Sequence, residues 1–288
     1  MNLGYQVKTL FQSVMLRCGY CQLRDLILRY LDRRPVTILC YHVISERSHP
    51  NAIVPADFTK HIEFLKSHYQ VVSIDAAMDY LSGAQIGGNP LCCITFDDGY
   101  QENLVTAIPI LEGASCPAIF FLVSQCVIEN RLFPDDKRRG YTDFKPFTPE
   151  EVKLLLQKHF SIGSHTVTHA DCGVAENLFE IPLSKRQIED EVKSPVKYFA
   201  FPYGRPETIH PDAPSELAAA GYRAAFSCFG GVNHRFGNAD HAAPRETPVL
   251  RRIHIGAWDS MTQFEFQLRM QEFILFKNRL GRLFRMRS

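Results

Sequence analysis

The stretch that decides the reading is Leu91-Cys92-Cys93-Ile94-Thr95-Phe96-Asp97-Asp98-Gly99-Tyr100. Its first six residues make an uninterrupted buried-type run, as in a strand covered on both faces. The run stops at two adjacent carboxylates and a glycine, which turns the strand into a loop at its most polar point. Two acids at the end of a buried strand are costly unless something offsets their charge. In α/β proteins the carboxyl ends of strands are also where ligands sit.

Working outward, strand and helix patterns alternate along most of the chain. Upstream, Val36–Tyr41 reads as a buried strand ending on His42, and residues 70–74 as a short one. Between them Asp57 is expected to cap a helix, and Asp75 to cap another that runs through Leu81. A Gly-Gly-Asn-Pro turn at 87–90 leads into the opening strand. Downstream, Leu104–Leu111 suits a helix, and strands are expected at 117–123, at 160–164 (delivering His165), at 197–201 (before Pro202-Tyr203-Gly204), at 222–228 and at 249–255. Thr148-Pro149-Glu150-Glu151 is a capping box with proline at the first helical position, so a helix follows to about His159. Helical patterns return near 184–193 and 215–220. Residues 126–147 are polar and read as a long loop or insertion. The alternation indicates a parallel α/β architecture, and periodicity alone does not separate an open sheet from a barrel.

The bulk numbers narrow the classes. A chain of 288 residues with 45% hydrophobic and 22% charged content has an ordinary globular composition. A net charge of +1 argues against a nucleic-acid binder. No run approaches the roughly 18 apolar residues of a membrane span. The first 34 residues have a helical rhythm with scattered basic residues and no signal-peptide pattern. Nine cysteines, mostly within apolar runs, fit reduced thiols and a cytoplasmic setting. Cys18 and Cys21 form a lone C-x-x-C, without the second pair that a metal site would need.

Three polar clusters follow expected strands: Asp97-Asp98, His165-Thr166-Val167-Thr168-His169 and Pro202-Tyr203-Gly204. Parallel strands bring such ends to one face. His165 and His169 are four apart, which on one helical turn would place both imidazoles on the same side. Taken singly, Asp-Asp-Gly is a turn, H-x-x-x-H a chance pair and Pro-Tyr-Gly another turn. Together they fit metal-dependent hydrolysis, where one acid and two imidazoles hold an ion and leave positions open. The neighbouring acid is then free to act as a base.

Thr95-Phe96-Asp97-Asp98-Gly99, the His165/His169 pair and Phe201-Pro202-Tyr203-Gly204 resemble the motifs of the polysaccharide deacetylase family, also known as the NodB-homology domain or carbohydrate esterase family 4. The resemblance covers about residues 36–256, and Leu39-Cys40-Tyr41-His42 is similar to the family's first strand. It implies a distorted (β/α) barrel, a divalent metal, usually Zn2+, and removal of acetyl groups from N-acetylated sugars in a polysaccharide or glycolipid. By position, Asp97 resembles the catalytic base and Asp98, His165 and His169 the metal ligands. The backbone N–H of Tyr203 is implied as an oxyanion donor, and His254, in Arg252-Ile253-His254-Ile255, as the general acid.

The departures matter as much. Family members carry an arginine that orients the catalytic aspartate where this chain has Ala200, so Arg252 is expected to reach Asp97 instead, with Arg251 as competitor. Trp258-Asp259 reverses the family's Asp-Trp order, and His42 either lines the site or packs at strand 1. The expected layout is a helical extension (1–34), the deacetylase domain (35–259) and a basic amphipathic helix (260–288). From Lys277 that last segment has five basic residues and no acid, a pattern able to lie on the inner face of an anionic membrane. A lipid-linked sugar would be a fitting substrate there. Two alternatives keep the same site: an O-acetyl esterase or other amide hydrolase, and a catalytically inactive glycan-binding homologue.

Overall fold

The computed structural model describes residues 3–19, 21, 23, 34–236, 246–256 and 260–271. Its strands are β1 (Val36–Tyr41), β2 (Val43–Ile44), β3 (Ala52–Ile53), β4 (Gln70–Val71), β5 (Leu91–Phe96), β6 (Ala118–Leu122), β7 (Ser161–Ser164), β8 (Tyr198–Ala200), β9 (Ala224–Phe226), β10 (Val249–Leu250) and β11 (Ile253–His254). One sheet runs β10-β9-β8-β7-β6-β5-β1-β11, with β4 beside the start of β5; β2 and β3 pair separately. Every one of these strand pairings is parallel, so the carboxyl ends of the sheet strands open on one face.

Residues 249–255, expected as one strand, form two. Val249–Leu250 pairs with β9, and Ile253–His254 pairs with β1 at the opposite edge of the sheet. Arg251 and Arg252 therefore bridge the two edges, and the sheet curls into a distorted (β/α) barrel. The bridge between Val36 and Asn233 lies across the same seam.

Strand periodicity sorts the core into two bodies. Ile38, Cys93, Ile119, Phe121, Tyr198, Ala200 and Phe226 share one cluster inside the curl. Their neighbours Leu39, Ile94, Phe96, Phe120 and Phe199 face outward into a larger cluster built with the helices. Both faces are buried, which is why β5 reads as an unbroken run instead of an alternating one.

Local signals were partly misplaced. The helix Pro55–His68 starts with Pro55 in its first turn after Val54, so Asp57 lies inside the first turn and is not the cap. Ser73, not Asp75, caps Ile74–Leu81 through its side chain; Asp75 accepts from the Tyr198 hydroxyl and pairs with Arg223. The capping box at Thr148 is present and starts Pro149–Gln157. The stretch 126–147 holds two short helices, Ser124–Glu129 and Pro134–Arg139, where a loop was expected. Of the terminal helices, Leu3–Arg17 and Met261–Arg269 are described, and Leu16 and Cys21 pack against Phe266 and Met270. The basic stretch from Lys277 lies outside the described residues.

The helix Met261–Arg269 is fixed to the barrel by an aromatic stack: the His61 ring lies 3.8 Å from that of Phe264, at 5°. Burial lowers the His61 pKa from 6.5 to about 4. Between those values the unfolded chain takes up a proton that the folded chain refuses, so stability falls as pH drops from about 7 to 4. The shift corresponds to about 3 kcal/mol. His165, His169, His42 and His254 are shifted the same way and add to the slope. Chemical denaturation across this range should therefore show His61→Phe with a shallower slope than wild type by the share of one histidine; an unchanged slope would refute the assignment.

Candidate active site

Six strand ends deliver side chains to one cavity of about 390 Å³: His42 after β1, Asp97 and Asp98 after β5, His165 after β7, Tyr203 after β8, Cys228 after β9 and His254 on β11. The residues singled out in the sequence thus meet at the carboxyl ends of the strands, with Arg252 buried just beneath them.

Asp97 continues the inward-facing set of β5, two positions beyond Thr95, and is 3% exposed. Arg252 enters from the seam and is fully buried. Its Nη1 donates to Asp97 Oδ1 at 2.6 Å and its Nη2 to Oδ2 at 2.7 Å, a two-pronged pair. Nη1 also donates to Thr95 Oγ1 and Nε to the Ser227 carbonyl, each at 3.0 Å. The guanidinium lies over the rings of Phe121 and Phe226. Burial alone would raise the Asp97 pKa; the Arg252 charge outweighs it and holds the carboxyl far below the usual range. Ala200 sits in the same interior cluster as Phe121 and Phe226, and the Arg252 guanidinium reaches this space from the link between β10 and β11. Arg251 is exposed, with its guanidinium over Phe229.

Asp98 turns the other way. Its φ of 70° takes the chain out of the strand, and Oδ1 points between His165 Nε2 at 3.5 Å and His169 Nε2 at 3.4 Å. This oxygen is buried without a hydrogen-bond partner. Burial, followed by the charges of Asp97 and Asp136, raises the Asp98 pKa well above normal. Burial lowers His165 to about 3 and His169 in the same direction. His165 Nδ1 lies 2.7 Å from the Ala200 carbonyl, which can only accept, so the proton is on Nδ1 and the Nε2 lone pair faces Asp98. Two imidazoles and a carboxylate with an orphaned oxygen are a donor set that fits a divalent cation.

The two histidines are not on a helical turn. Residues 165–169 form a loop in which Thr166 and His169 have φ of 64° and 63°. Glu180, 5% exposed at the start of Glu180–Val192, organises it. Its Oε2 accepts from the backbone N–H of Val167 and Thr168, both at 2.9 Å, and its Oε1 from the Thr168 hydroxyl at 2.7 Å. The sequence reading passed over Glu180. Its only cue was an acid on the apolar side of a helix, next to Ile181.

On the far wall His254 and His42 meet edge to face at 5.3 Å, and burial lowers both pKa values. Tyr203, φ 60° and 45% exposed, sets its ring against His169 and donates from its hydroxyl to Asp135 at 3.3 Å. Gly204 holds the same left-handed conformation for a steric reason, since a Cβ there would meet Cys228 N at 2.5 Å. The 126–147 segment contributes Asp136. It accepts from the Tyr100 hydroxyl at 2.8 Å and from His49 Nε2 at 3.0 Å; His49 Nδ1 accepts from Asn51 N, so the ring proton is on Nε2. Trp258-Asp259 lies outside the described residues.

Residues 85–225 match the family model described as polysaccharide deacetylase. The match contains Asp97, Asp98, His165, His169 and Tyr203; His42, Arg252 and His254 fall outside it. Over 172 residues the chain is 25% identical to YxkH of Bacillus subtilis (strain 168), covering 58% of this chain and 56% of that one, so it aligns with little more than half of that relative's length. Among solved structures, IcaB from Ammonifex degensii superposes with a TM-score of 0.65 at 21% identity over 82% of this chain and 97% of that one. The Streptococcus pyogenes deacetylase PplD, solved in complex with acetate, gives 0.64 at 19% over 82% and 99%. At these identities the likeness is one of fold.

Two substitutions test the supports. Arg252→Ala leaves a buried carboxylate uncompensated and should cost about 3–5 kcal/mol in chemical denaturation; Arg252→Lys should recover only part of it, because an ammonium cannot make the fork. A cost below about 1 kcal/mol for Arg252→Ala would show the pair to be dispensable. Glu180→Ala should weaken divalent-metal binding about 10–100-fold, read by competition with a chelating dye, and unchanged affinity would remove Glu180 from the site.

Proposed function

Because the chain belongs to the polysaccharide deacetylase family, we propose that it is a metal-dependent carbohydrate N-deacetylase, hydrolysing the acetamide of an N-acetylated sugar in a polysaccharide or glycolipid. The observation that carries this reading is the division of two adjacent acids. Asp97 is locked by Arg252, while Asp98 presents a buried, unpartnered oxygen to two imidazole nitrogens.

Asp98, His165 and His169 would hold the ion, with zinc suited to this donor set. When bound, a divalent cation supplies acidified water and polarisation of the acetyl carbonyl. The rest falls to the protein. Asp97 stays ionised at any working pH, so it is always available to accept a proton, and the fork from Arg252 fixes the direction of its lone pairs. That fork also makes it a weak base, which suits it to water that is already acidified. The backbone N–H of Tyr203, in a turn packed on Cys228, is assigned to the tetrahedral oxyanion. His254, whose burial favours release of its proton, is assigned to protonate the leaving nitrogen as the C–N bond breaks. The products are acetate and a free amine. Polar groups at the cavity mouth, Asp135, Arg139 and Arg205 with the exposed Tyr203 ring, suit a sugar.

Acetate release from N-acetylated oligosaccharides and lipid-linked sugars, with and without chelator, tests the proposal. Release should cease with chelator and return with zinc. Asp97→Asn and His254→Gln should each lower it by about 10²–10⁴-fold while still binding one equivalent of metal tightly, whereas His165→Ala should lose this tight binding and activity together. Metal binding without acetate release from any N-acetylated glycan, with glycan affinity unchanged in Asp97→Asn, would make the protein a binding homologue.

A further inference from the structure

A second group of ligating atoms lies beside the first. A Cys40 sulfur, a His42 ring nitrogen and an Asp97 carboxylate oxygen are all within 4.8 Å of one another. The Cys40 Sγ is 3.3 Å from Asp97 Oδ2. His42 Nδ1 is buried and has no hydrogen-bond partner, an unmet polar group of the kind a ligand offsets. The Cys228 thiol touches Cys40, and Cys228 and His42 line the cavity, so the group is reachable from it. Hydrolysis as described above has no use for either thiol or for His42.

We propose that Cys40, His42 and Asp97, with Cys228 adjacent, form a second and weaker cation site, selective for a thiophilic ion, whose filling takes Asp97 out of service. One sulfur, one imidazole and one carboxylate suit zinc or cadmium and are poor for magnesium or calcium. On binding, the Cys40 thiol gives its proton to solvent and its sulfur bonds the ion. The Asp97 lone pair that would receive a proton from water is then occupied. Two charges make the site weaker than the one at Asp98, His165 and His169. The Arg252 guanidinium already holds both Asp97 oxygens, and an ion in the first site repels a second one nearby. The first site therefore fills first, and an excess of the same metal that supports activity shuts it off. That consequence rests on the deacetylase reading; the binding itself does not.

Cadmium is the probe, because a thiolate bound to it gives an ultraviolet charge-transfer band. The full chain is stripped with chelator and carries His165→Ala and His169→Ala to empty the first site, with Cys18→Ser to remove the exposed thiol of the C-x-x-C. Titration should give the band with one equivalent of Cd2+. Adding Cys40→Ser should abolish it, and adding His42→Ala, a change that spares every thiol, should weaken binding about tenfold or more; near-UV circular dichroism checks that each variant is folded. A band of unchanged strength and affinity in both variants, or no band at all in the parent, would overturn the site. With the first site intact, excess Zn2+ should inhibit acetate release in wild type and inhibit Cys40→Ser much less; equal inhibition would overturn the shut-off. A cadmium band in this variant, with no acetate released by zinc-loaded wild type, would sink the deacetylase reading and leave the second site standing.

Discussion

The ion pair between Arg252 and Asp97 is the constraint around which the barrel closes. A guanidinium with no exposure and a carboxylate at 3% would each be prohibitive alone. Together they are tolerable because four of the five guanidinium N–H donors are used: two bonds to Asp97, one to Thr95 and one to the Ser227 carbonyl, over two aromatic faces. Those partners come from β5, β6 and the end of β9. Arg252 lies between β10 and β11, which belong to opposite edges of the sheet. One side chain thus ties the seam to the centre of the site, so an error in closing the sheet would strand two buried charges.

Strain is placed with equal selectivity. Among the described residues, eight that are not glycine have left-handed backbone. Ser115, Asn130 and Lys193 end helices, where that conformation is routine, and His159 lies just past another. The other four are Asp98, Thr166, His169 and Tyr203, all at the cavity or in the histidine loop. Each costs of order 1 kcal/mol or more, and buried contacts brace two of these segments: Glu180 makes three bonds to the histidine loop, and Cys228 packs against the Tyr203-Gly204 turn. The site is therefore held by buried contacts rather than by the loops' own preferences.

What could be read from the chain divides along the same line. The strands and the order of the site residues were legible because burial on both faces leaves long apolar runs, and polar residues must follow where the runs end. Arg252 was legible only through the family resemblance, which implies an arginine where this chain has Ala200 and so left Asp97 needing a partner from the last strand. The break between Leu250 and Ile253 was not, since a strand that changes neighbours keeps its apolar pattern. Nor was the histidine loop: four-residue spacing is the same in a helical turn and in a loop folded on Glu180, and only the tertiary bonds distinguish them. The helices in 126–147 were hidden by their polar, proline-containing sequence, although this segment supplies Asp136 to the wall.

Parity and backbone conformation together explain why two neighbouring acids differ so sharply. Asp97 keeps the alternation of β5 and faces the interior, where Arg252 waits; Asp98, with φ of 70°, leaves the alternation and faces the cavity. Of the three buried acids that line the cavity, Asp97 is balanced by a guanidinium, and Asp136 by donors from Tyr100 and His49. Asp98 Oδ1 is the one carboxylate oxygen that stays buried and unpartnered among the described residues. The imidazoles beside it do not supply a charge, because burial holds both toward the neutral form, and His165 spends its only N–H on the Ala200 carbonyl. Protonating Asp98 would relieve the charge, but its single proton could serve only one of the two imidazoles beside it. A cation satisfies all three donors at once, which is why the geometry of this corner is read as a binding site and that of Asp97 as its reactive neighbour.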